Sequence, residues 1–151
     1  MPVEVVHVGR RIRVEVDTLA TADGKTIRRD AIRHPGAVVI LPVLDAGRVV
    51  LLRNYRFVVG DTLWEVPAGT VEPNEPLDAC ARRELLEETG YTAAKWRGLG
   101  YLYASPGVRD EKLQVLQSLR VLTPALVAES VVRAQYTAGS LADRRAAAYL
   151  D

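Results

Sequence analysis

The chain has 151 residues, of which 48% are hydrophobic and 26% are charged, and its formal net charge is +1. This length and composition predict one globular domain, residues 1–151, with a sizeable core. A charge so close to zero argues against a nucleic-acid partner, which usually requires a basic stripe. The longest apolar stretch, residues 37–44, is too short to cross a bilayer. We therefore expect no membrane partner. The single cysteine, Cys80, excludes an intramolecular disulfide and fits a reducing compartment, so we expect a cytoplasmic protein.

The first part of the chain alternates in the manner of β-strands. Val3, Val5 and Val8 precede Gly9-Arg10, and Ile12, Val14 and Val16 follow it, which predicts a hairpin that turns there. The run Asp23-Gly24 predicts a second turn, and Thr26–Arg33 follows it as a strand. Pro35-Gly36 then interrupts the pattern. We therefore separate an N-terminal region, residues 1–34, from a core region, residues 35–151.

The core region contains strand patterns before and after one helical pattern. Val38–Leu44 reads as a buried strand, a turn follows at 45–47, and Arg48–Arg53 is its predicted hairpin partner. The remaining predicted elements are a short strand at Leu63–Val66, a central helix, strands at Lys95–Ala104 and Lys112–Val121, and a helix at Leu141–Leu150. This order predicts an α/β or α+β fold.

The central helix is well signalled by its ends and by its apolar spacing. Acidic residues of the first turn favour a helix N-terminus, and a glycine favours its end. The helix residues predicted on this basis are Asn74 as N-cap, Glu75 and Asp78 in the first turn, Gly90 as C-cap, and Leu77, Ala81 and Leu85 as an apolar stripe with Cys80 beside it. Cys80 is interpreted as a small core residue rather than a nucleophile.

Three glutamates of this helix carry the chemistry. Glu84, Glu87 and Glu88 stand at i, i+3 and i+4, so they share one helix face. Charges this close raise one another's pKa, and either full exposure to water or a bound divalent cation relieves the repulsion. Carboxylate oxygens are ligands that Mg2+ prefers, and Mg2+ keeps open positions for water and substrate phosphates. The alternative interpretation is a solvated acidic face.

The segment Gly69–Tyr91 fills every fixed position of the pattern Gly-x5-Glu-x7-Arg-Glu-apolar-x-Glu-Glu-x-Gly-apolar. It resembles the Nudix box, the signature of hydrolases that cleave nucleoside diphosphates linked to another group. The resemblance implies an α/β/α sandwich with a mixed sheet and an N-terminal antiparallel strand extension. It also implies that a cation, Mg2+ or Mn2+ as its substitute, is bound by Glu84, Glu87, Glu88 and the backbone carbonyl of Ala68. Glu87 and Arg83 are the implied catalytic residues, with Arg83 orienting a glutamate of the cluster.

Residues outside the box resemble those of ADP-ribose pyrophosphatases. These are Tyr55-Arg56, the run Leu63–Gly69, and Pro106, which lies 15 residues beyond Tyr91. The resemblance implies an enzyme that cleaves the diphosphate bond of ADP-ribose or a related nucleoside diphosphate sugar. GDP-mannose, NADH and 8-oxo-dGTP stay open as substrates, and so does a regulatory module that binds a nucleotide with little catalysis.

The substrate contacts and the general base are less closely specified. Arg53 and Arg56 are candidates for the substrate phosphates together with Pro106, although surface charge and a plain turn are alternatives. In this subfamily a glutamate in a later loop often helps to activate water. Between residues 112 and 142 the sole carboxylate is Glu129, so it is the candidate base, with Glu111 as a substitute. Relatives also commonly exchange their N-terminal sheet between subunits, so we expect a homodimer in which residues 1–34 take part.

Overall fold

The structure is a computed structural model that describes residues 3–44 and 48–122. Within these ranges the chain forms nine strands and one helix. The strands are β1 (Val3–Val8), β2 (Arg13–Ala20), β3 (Thr26–Arg33), β4 (Ala37–Pro42), β5 (Leu52–Arg56), β6 (Asp61–Glu65), β7 (Ala68–Thr70), β8 (Thr92–Tyr103) and β9 (Lys112–Leu122), and the helix is α1 (Leu77–Thr89). The predicted helix at 141–150 lies outside the described residues. Across the described ranges, no helix is long and apolar enough to span a membrane.

The strands form a mixed sheet with an antiparallel sheet ahead of it in the chain. The mixed sheet has the order β7-β4-β9-β8, in which β4 pairs parallel with β9 and the other pairs are antiparallel. The N-terminal sheet has the order β1-β2-β3 and is antiparallel throughout. Strands β5 and β6 make a separate hairpin. The predicted α+β class, with a mixed sheet and an N-terminal antiparallel extension, is confirmed.

Helix α1 covers the mixed sheet through a compact apolar core. Val38 and Ile40 of β4 are fully buried, and so are Cys80, Ala81 and Leu85 of α1. Alternate residues of a strand face one side of the sheet, and helix residues four apart lie one turn above each other. One stripe of the helix therefore meets one face of the sheet. The predicted core position of Cys80 is confirmed, and burial raises the pKa of its thiol to about 12.

The predicted pairing of Val38–Leu44 with Arg48–Arg53 is wrong over most of its length. The two segments are joined only at their near ends, by an isolated bridge between Val43 and Val49 and by the backbone hydrogen bonds beside it. The following strand begins at Leu52 and pairs with β6. The reason is that β4 has a neighbour on each side, β7 and β9. The later segment therefore reaches only the end of β4, where the Val50 N–H donates to the Pro42 carbonyl at 3.0 Å.

The N-terminal sheet is joined to the loop between β8 and β9 of the same chain. The Ile32 N–H donates to the Val108 carbonyl at 2.8 Å, and the Asp110 N–H donates back to the Ile32 carbonyl at 3.1 Å. The Asp110 carboxylate also accepts the His34 N–H at 2.8 Å. The loop that contains Pro106 is therefore held against the end of β3.

Candidate functional site

Helix α1 begins later than the sequence predicts. It starts at Leu77, its N-cap residue is Pro76 without a side-chain cap, and Asn74 takes a left-handed conformation at φ 62°. The predicted Asn74 cap is therefore wrong, and Glu75 precedes the first turn. The reason is Pro76, because a proline disfavours helical backbone in the residue before it. The end of the helix is as predicted, since Gly90 is left-handed at φ 72° and its N–H donates to the Leu86 carbonyl at 2.8 Å.

The displaced Glu75 becomes the anchor of Arg83. Arg83 Nε and Nη2 donate to the two carboxylate oxygens of Glu75 at 2.8 and 2.9 Å. This two-point pairing, aided by the Glu72 N–H, holds the pKa of Glu75 down at about 2. Arg83 Nη1 then reaches Glu84 at 2.7 Å and Glu87 at 3.2 Å. Arg83 thus ties the turn before the helix to two glutamates of the acidic face.

The carboxylate of Glu84 lies directly over Gly69. A Cβ built at Gly69 would overlap the Cδ and both carboxylate oxygens of Glu84. The Glu84 side chain is only 12% exposed, so it is packed into this position rather than extended into water. The Glu84 carboxylate can therefore keep this position only while residue 69 has no Cβ.

The carboxylate of Glu88 meets the preceding peptide, Ala68. The Ala68 N–H donates to Glu88 Oε2 at 2.9 Å. The neighbouring ladder bonds, from the Ile40 N–H to the Pro67 carbonyl and from the Val71 N–H to the Gly36 carbonyl, place Ala68 at a non-hydrogen-bonded position of the β4–β7 ladder. The N–H and carbonyl of Ala68 therefore both point away from β4. This orientation is compatible with the ligand role that the resemblance implies for the Ala68 carbonyl, and that role stays a prediction.

The carboxylate of Glu88 has a raised pKa. The pKa of Glu88 is raised to about 7, chiefly by desolvation, with smaller upward contributions from the charges of Glu84 and Glu65. The Ala68 N–H and the charge of Arg56 act in the opposite direction. A partly desolvated carboxylate beside a second carboxylate is a place where a bound cation stabilises the ionised form. Glu84 and Glu88 are brought together in this way.

Glu87 is placed differently from the other two glutamates. Its side chain is half-exposed and turned toward Arg83. In the part of the chain that the structure describes, no three His, Cys, Asp or Glu side chains converge closely enough to hold a metal ion. The predicted donors, the carboxylates of Glu84 and Glu88 and the Ala68 carbonyl, are oxygen atoms, which are the ligand type that a hard cation retaining several waters prefers. The ligand roles of Ala68, Glu84, Glu87 and Glu88 stay predictions.

Of the predicted substrate contacts, Arg56 lies nearest to this acidic site. Its guanidinium makes a two-point contact with Glu65, and the charge of Glu88 contributes to raising the pKa of Arg56. Arg53 lies on the other face of the β5–β6 hairpin, with its guanidinium carbon 5.9 Å from the centre of the Trp64 ring. Pro106 is exposed in the loop between β8 and β9. The substrate-binding roles of these residues stay predictions.

Of the two candidates for the general base, one lies within the described residues and the other does not. Glu129 lies outside the described residues. Glu111 is described, and its side chain is only 12% exposed. It pairs with Arg109 and lies 3.4 Å from His34 Nδ1. Its carboxylate is therefore engaged at the junction with the N-terminal region, and its role as a base stays a prediction.

Glu65 lies beside the site, and the sequence predicted no role for its side chain. Glu65 belongs to the run Leu63–Gly69, but its contact with Arg56 follows from the way β5 and β6 fold back on each other. The available signal was the alternation of polar side chains at Asn54 and Arg56, which places them on one face of a strand. The turn length at residues 57–60 was not specified, so the facing residue was not identified.

These features define an α+β protein in which an acidic helix packs against a short strand that contains Gly69. The chain belongs to the NUDIX domain family, whose model matches residues 33–133. That span includes the whole segment Gly69–Tyr91, so the resemblance described above is confirmed.

The proteins similar to this chain include one named as a hydrolase and one named as an activator of another enzyme. Over 112 residues the chain is 38% identical to the ADP-ribose pyrophosphatase of Bacillus subtilis (strain 168), which covers 74% of this chain and 60% of that protein. Over 108 residues it is 35% identical to the methanol dehydrogenase activator of Bacillus methanolicus, covering 72% and 58%. The chain thus spans about three-fifths of the length of these relatives. A crystal structure of an ADP compounds hydrolase is similar with a TM-score of 0.70 and 26% identity, covering 85% of this chain and 70% of that one.

Proposed function

We propose that this protein is a Mg2+-dependent pyrophosphatase that cleaves the diphosphate bond of ADP-ribose or a related nucleoside diphosphate sugar. The products would be a nucleoside monophosphate and a sugar phosphate. The observation that carries the proposal is the packing of Glu84 over Gly69 beside Glu88 on the Ala68 N–H. The substrate class is supported by the ADP-ribose pyrophosphatase of Bacillus subtilis and by the likeness to an ADP compounds hydrolase.

In this proposal each residue of the acidic site has a distinct task. Glu84, Glu88 and the Ala68 carbonyl hold the cation, with Glu87 as a further ligand or base. When bound, the cation, Mg2+ or Mn2+, supplies Lewis acidity toward phosphate oxygens and lowers the pKa of a coordinated water. Arg83 keeps Glu84 oriented through a charge-assisted hydrogen bond.

The substrate side of the site is formed by other elements. Arg56 would contact a phosphate, because its planar guanidinium matches phosphate geometry. Arg53 would contribute positive charge from the same hairpin, and Pro106 would shape the substrate side from the β8–β9 loop. Glu129, or Glu111 in its place, would take the proton from the attacking water.

A panel of substrates tests the proposal directly. The protein would be incubated with ADP-ribose, GDP-mannose, NADH and 8-oxo-dGTP, each with Mg2+ or Mn2+, and products would be separated by chromatography. We expect ADP-ribose to be cleaved fastest, with AMP and ribose 5-phosphate as products. Glu84→Gln and Glu88→Gln should each remove most of the activity while the folded structure is retained. Failure to cleave any of the four substrates, with metal bound, would exclude the enzyme.

A second candidate function is a nucleotide-binding module with a regulatory role and little catalysis. The observation that favours it is the 35% identity to a protein named as an activator of methanol dehydrogenase. The two candidates differ in one measurement, since a regulatory module would bind ADP-ribose without releasing AMP. Isothermal titration beside the turnover assay separates them.

We also propose that the protein is a cytoplasmic homodimer in which the N-terminal sheet takes part. Strand β1 lies at the edge of this sheet, and Val3, Val5, Val6 and Val8 are between 52% and 71% exposed. An apolar edge strand is an aggregation hazard unless something covers it, and twofold pairing is the commonest closed assembly. Light scattering coupled to size exclusion should give twice the chain mass. A monomer at micromolar concentration would contradict the proposal.

A further inference from the structure

The hairpin next to the acidic site carries a charge pair whose geometry is unusual for its register. Arg56 Nε donates to Glu65 Oε1 at 2.8 Å, and Nη2 donates to Glu65 Oε2 at 2.6 Å. In the β5–β6 ladder, however, Arg56 stands opposite Asp61 and Glu65 stands opposite Leu52. The two side chains therefore meet diagonally, four positions apart along the strand. Arg56 reaches this contact only by lying back along the hairpin face.

The direction of this contact carries the guanidinium toward the site. Glu65 is three residues before Ala68, whose N–H holds Glu88. The alternation of strand side chains puts Asn54 on the same face as Arg56 and Glu65, and Asn54 Nδ2 lies 3.4 Å from Glu65 Oε2. The contact with Glu65 thus draws the charge of Arg56 away from the hairpin turn and toward the acidic site.

The paired guanidinium keeps hydrogen-bond capacity for another anion. Among the described residues, the hydrogen bonds of Arg56 use its Nε and Nη2 atoms and go to Glu65. A guanidinium has five N–H donors, so the Nη1 group and one Nη2 hydrogen are not used. The Arg56 side chain is half-exposed, whereas that of Glu65 is 21% exposed. The more buried partner, Glu65, is therefore the anchor of the pair, and Arg56 is the member that a ligand can reach.

We propose that Glu65 is a positioning residue that holds Arg56 with its Nη1 group toward the diphosphate of a substrate bound at Glu84 and Glu88. This inference rests on the proposed function. Glu65 does not touch the substrate in it. Its carboxylate sets the direction of Arg56 before the substrate binds, so that less side-chain freedom is lost on binding.

The test compares Glu65→Gln, Arg56→Gln and the double variant, with Asp61→Asn as a matched control. Asp61 is the register partner of Arg56 on the same hairpin, but its carboxylate accepts the Thr62 N–H. The control therefore removes a carboxylate near Arg56 but leaves the two-point contact between Arg56 and Glu65 in place. The measurements are kcat and KM for ADP-ribose, and Kd for its nonhydrolysable α,β-methylene analogue with Mg2+.

We expect Glu65→Gln to raise KM and Kd by about tenfold, as for the loss of one charge-assisted contact, with a smaller change in kcat. Arg56→Gln should do the same, and the double variant should be no worse than Arg56→Gln alone. Asp61→Asn should behave as the wild type. Independent, multiplying effects of the two single variants would overturn the positioning role, because Glu65 would then act without Arg56.

The outcome also separates this inference from the proposed function. If the wild type cleaves ADP-ribose and Glu65→Gln leaves KM and Kd unchanged, the role of Glu65 is wrong and the proposed function stands. If ADP-ribose is not cleaved, the proposed function fails, and the Kd series alone decides the role of Glu65. A coupled loss of analogue binding supports it, whereas unaltered or undetectable binding in all variants overturns it.

Discussion

Replacing Gly69 by alanine is the sharpest test of the site geometry. The added Cβ would overlap the carboxylate of Glu84, which is the end of a flexible side chain. We therefore expect the carboxylate to move while the backbone of β7 stays in place. An altered rotamer costs about 0.5–1.5 kcal/mol. The loss of the hydrogen bond from Arg83 to the Glu84 carboxylate adds to this cost, although a hydrogen bond from water partly compensates for it. The net loss in the free energy of unfolding should be about 1–2 kcal/mol.

The loss of activity should be larger than the loss of stability. For a chain of this size 1 kcal/mol corresponds to about 2–4 °C in Tm, so Gly69→Ala should melt about 2–8 °C below the wild type. Because Glu84 is a proposed ligand of the cation, displacing its carboxylate should lower kcat/KM by about 10–100-fold and raise the Mg2+ concentration needed for half-maximal activity. The assay is ADP-ribose hydrolysis over a Mg2+ titration, with thermal unfolding of the same samples.

Gly98→Ala provides the matched control for this variant. Gly98 is also in a strand, but no atom lies within 4 Å of the position of its added Cβ. It should therefore keep wild-type activity and wild-type Mg2+ dependence. The reasoning about Gly69 would be refuted if Gly69→Ala had the same kcat/KM and Mg2+ dependence as Gly98→Ala.

Three further predictions concern stability and accessibility. Leu85 is fully buried between α1 and the sheet, so Leu85→Ala should lower the free energy of unfolding in urea by about 2–5 kcal/mol, and a smaller loss would show that the site collapses around the cavity. Cys80 is buried with a raised thiol pKa, so a thiol reagent should label it only after unfolding, and rapid labelling of the native protein would contradict its core position. The pKa of Glu15 is lowered, chiefly by the hydrogen bond from Arg33. Its contribution to stability should therefore be present above its unfolded pKa, about 4.5, and should be lost as the pH falls through its lower folded pKa. The urea midpoint of Glu15→Gln should lie below that of the wild type at pH 7 and approach it in acid, and a constant gap would contradict this assignment.

The sequence predicted the elements whose signals are local. The turn at Gly24 was predicted because Asp-Gly favours positive φ, and Gly24 has φ 80°. The end of α1 at Gly90 follows from the same property of glycine. The burial of Ala81 and Leu85 follows from helical spacing, whereas Leu77 of the same predicted stripe, which is the first residue of α1, is 42% exposed. In each case the information lies within a few residues, so no knowledge of the sheet was needed.

The failures arose where a distant partner or a neighbouring residue outweighed a local signal. Asn74 is a favourable N-cap by type, but Pro76 shifts the start of the helix beyond it. Arg48–Arg53 has strand character, yet β7 and β9 occupy both sides of β4. Glu65 meets Arg56 through a hairpin register that the sequence did not specify. Each outcome depends on which segments compete for the same hydrogen bonds or the same space.

The sequence by itself determined that Glu84, Glu87 and Glu88 share one face of a helix, because helical spacing is a local property. It also determined family membership, because the spacing of Gly69–Tyr91 is fixed in the chain. Only the tertiary structure distinguished the three glutamates. Glu88 is partly buried and accepts the Ala68 N–H, and Glu84 packs over Gly69, whereas Glu87 is half-exposed beside Arg83. The physical reason is that desolvation depends on how closely β7 and the β5–β6 hairpin approach the helix.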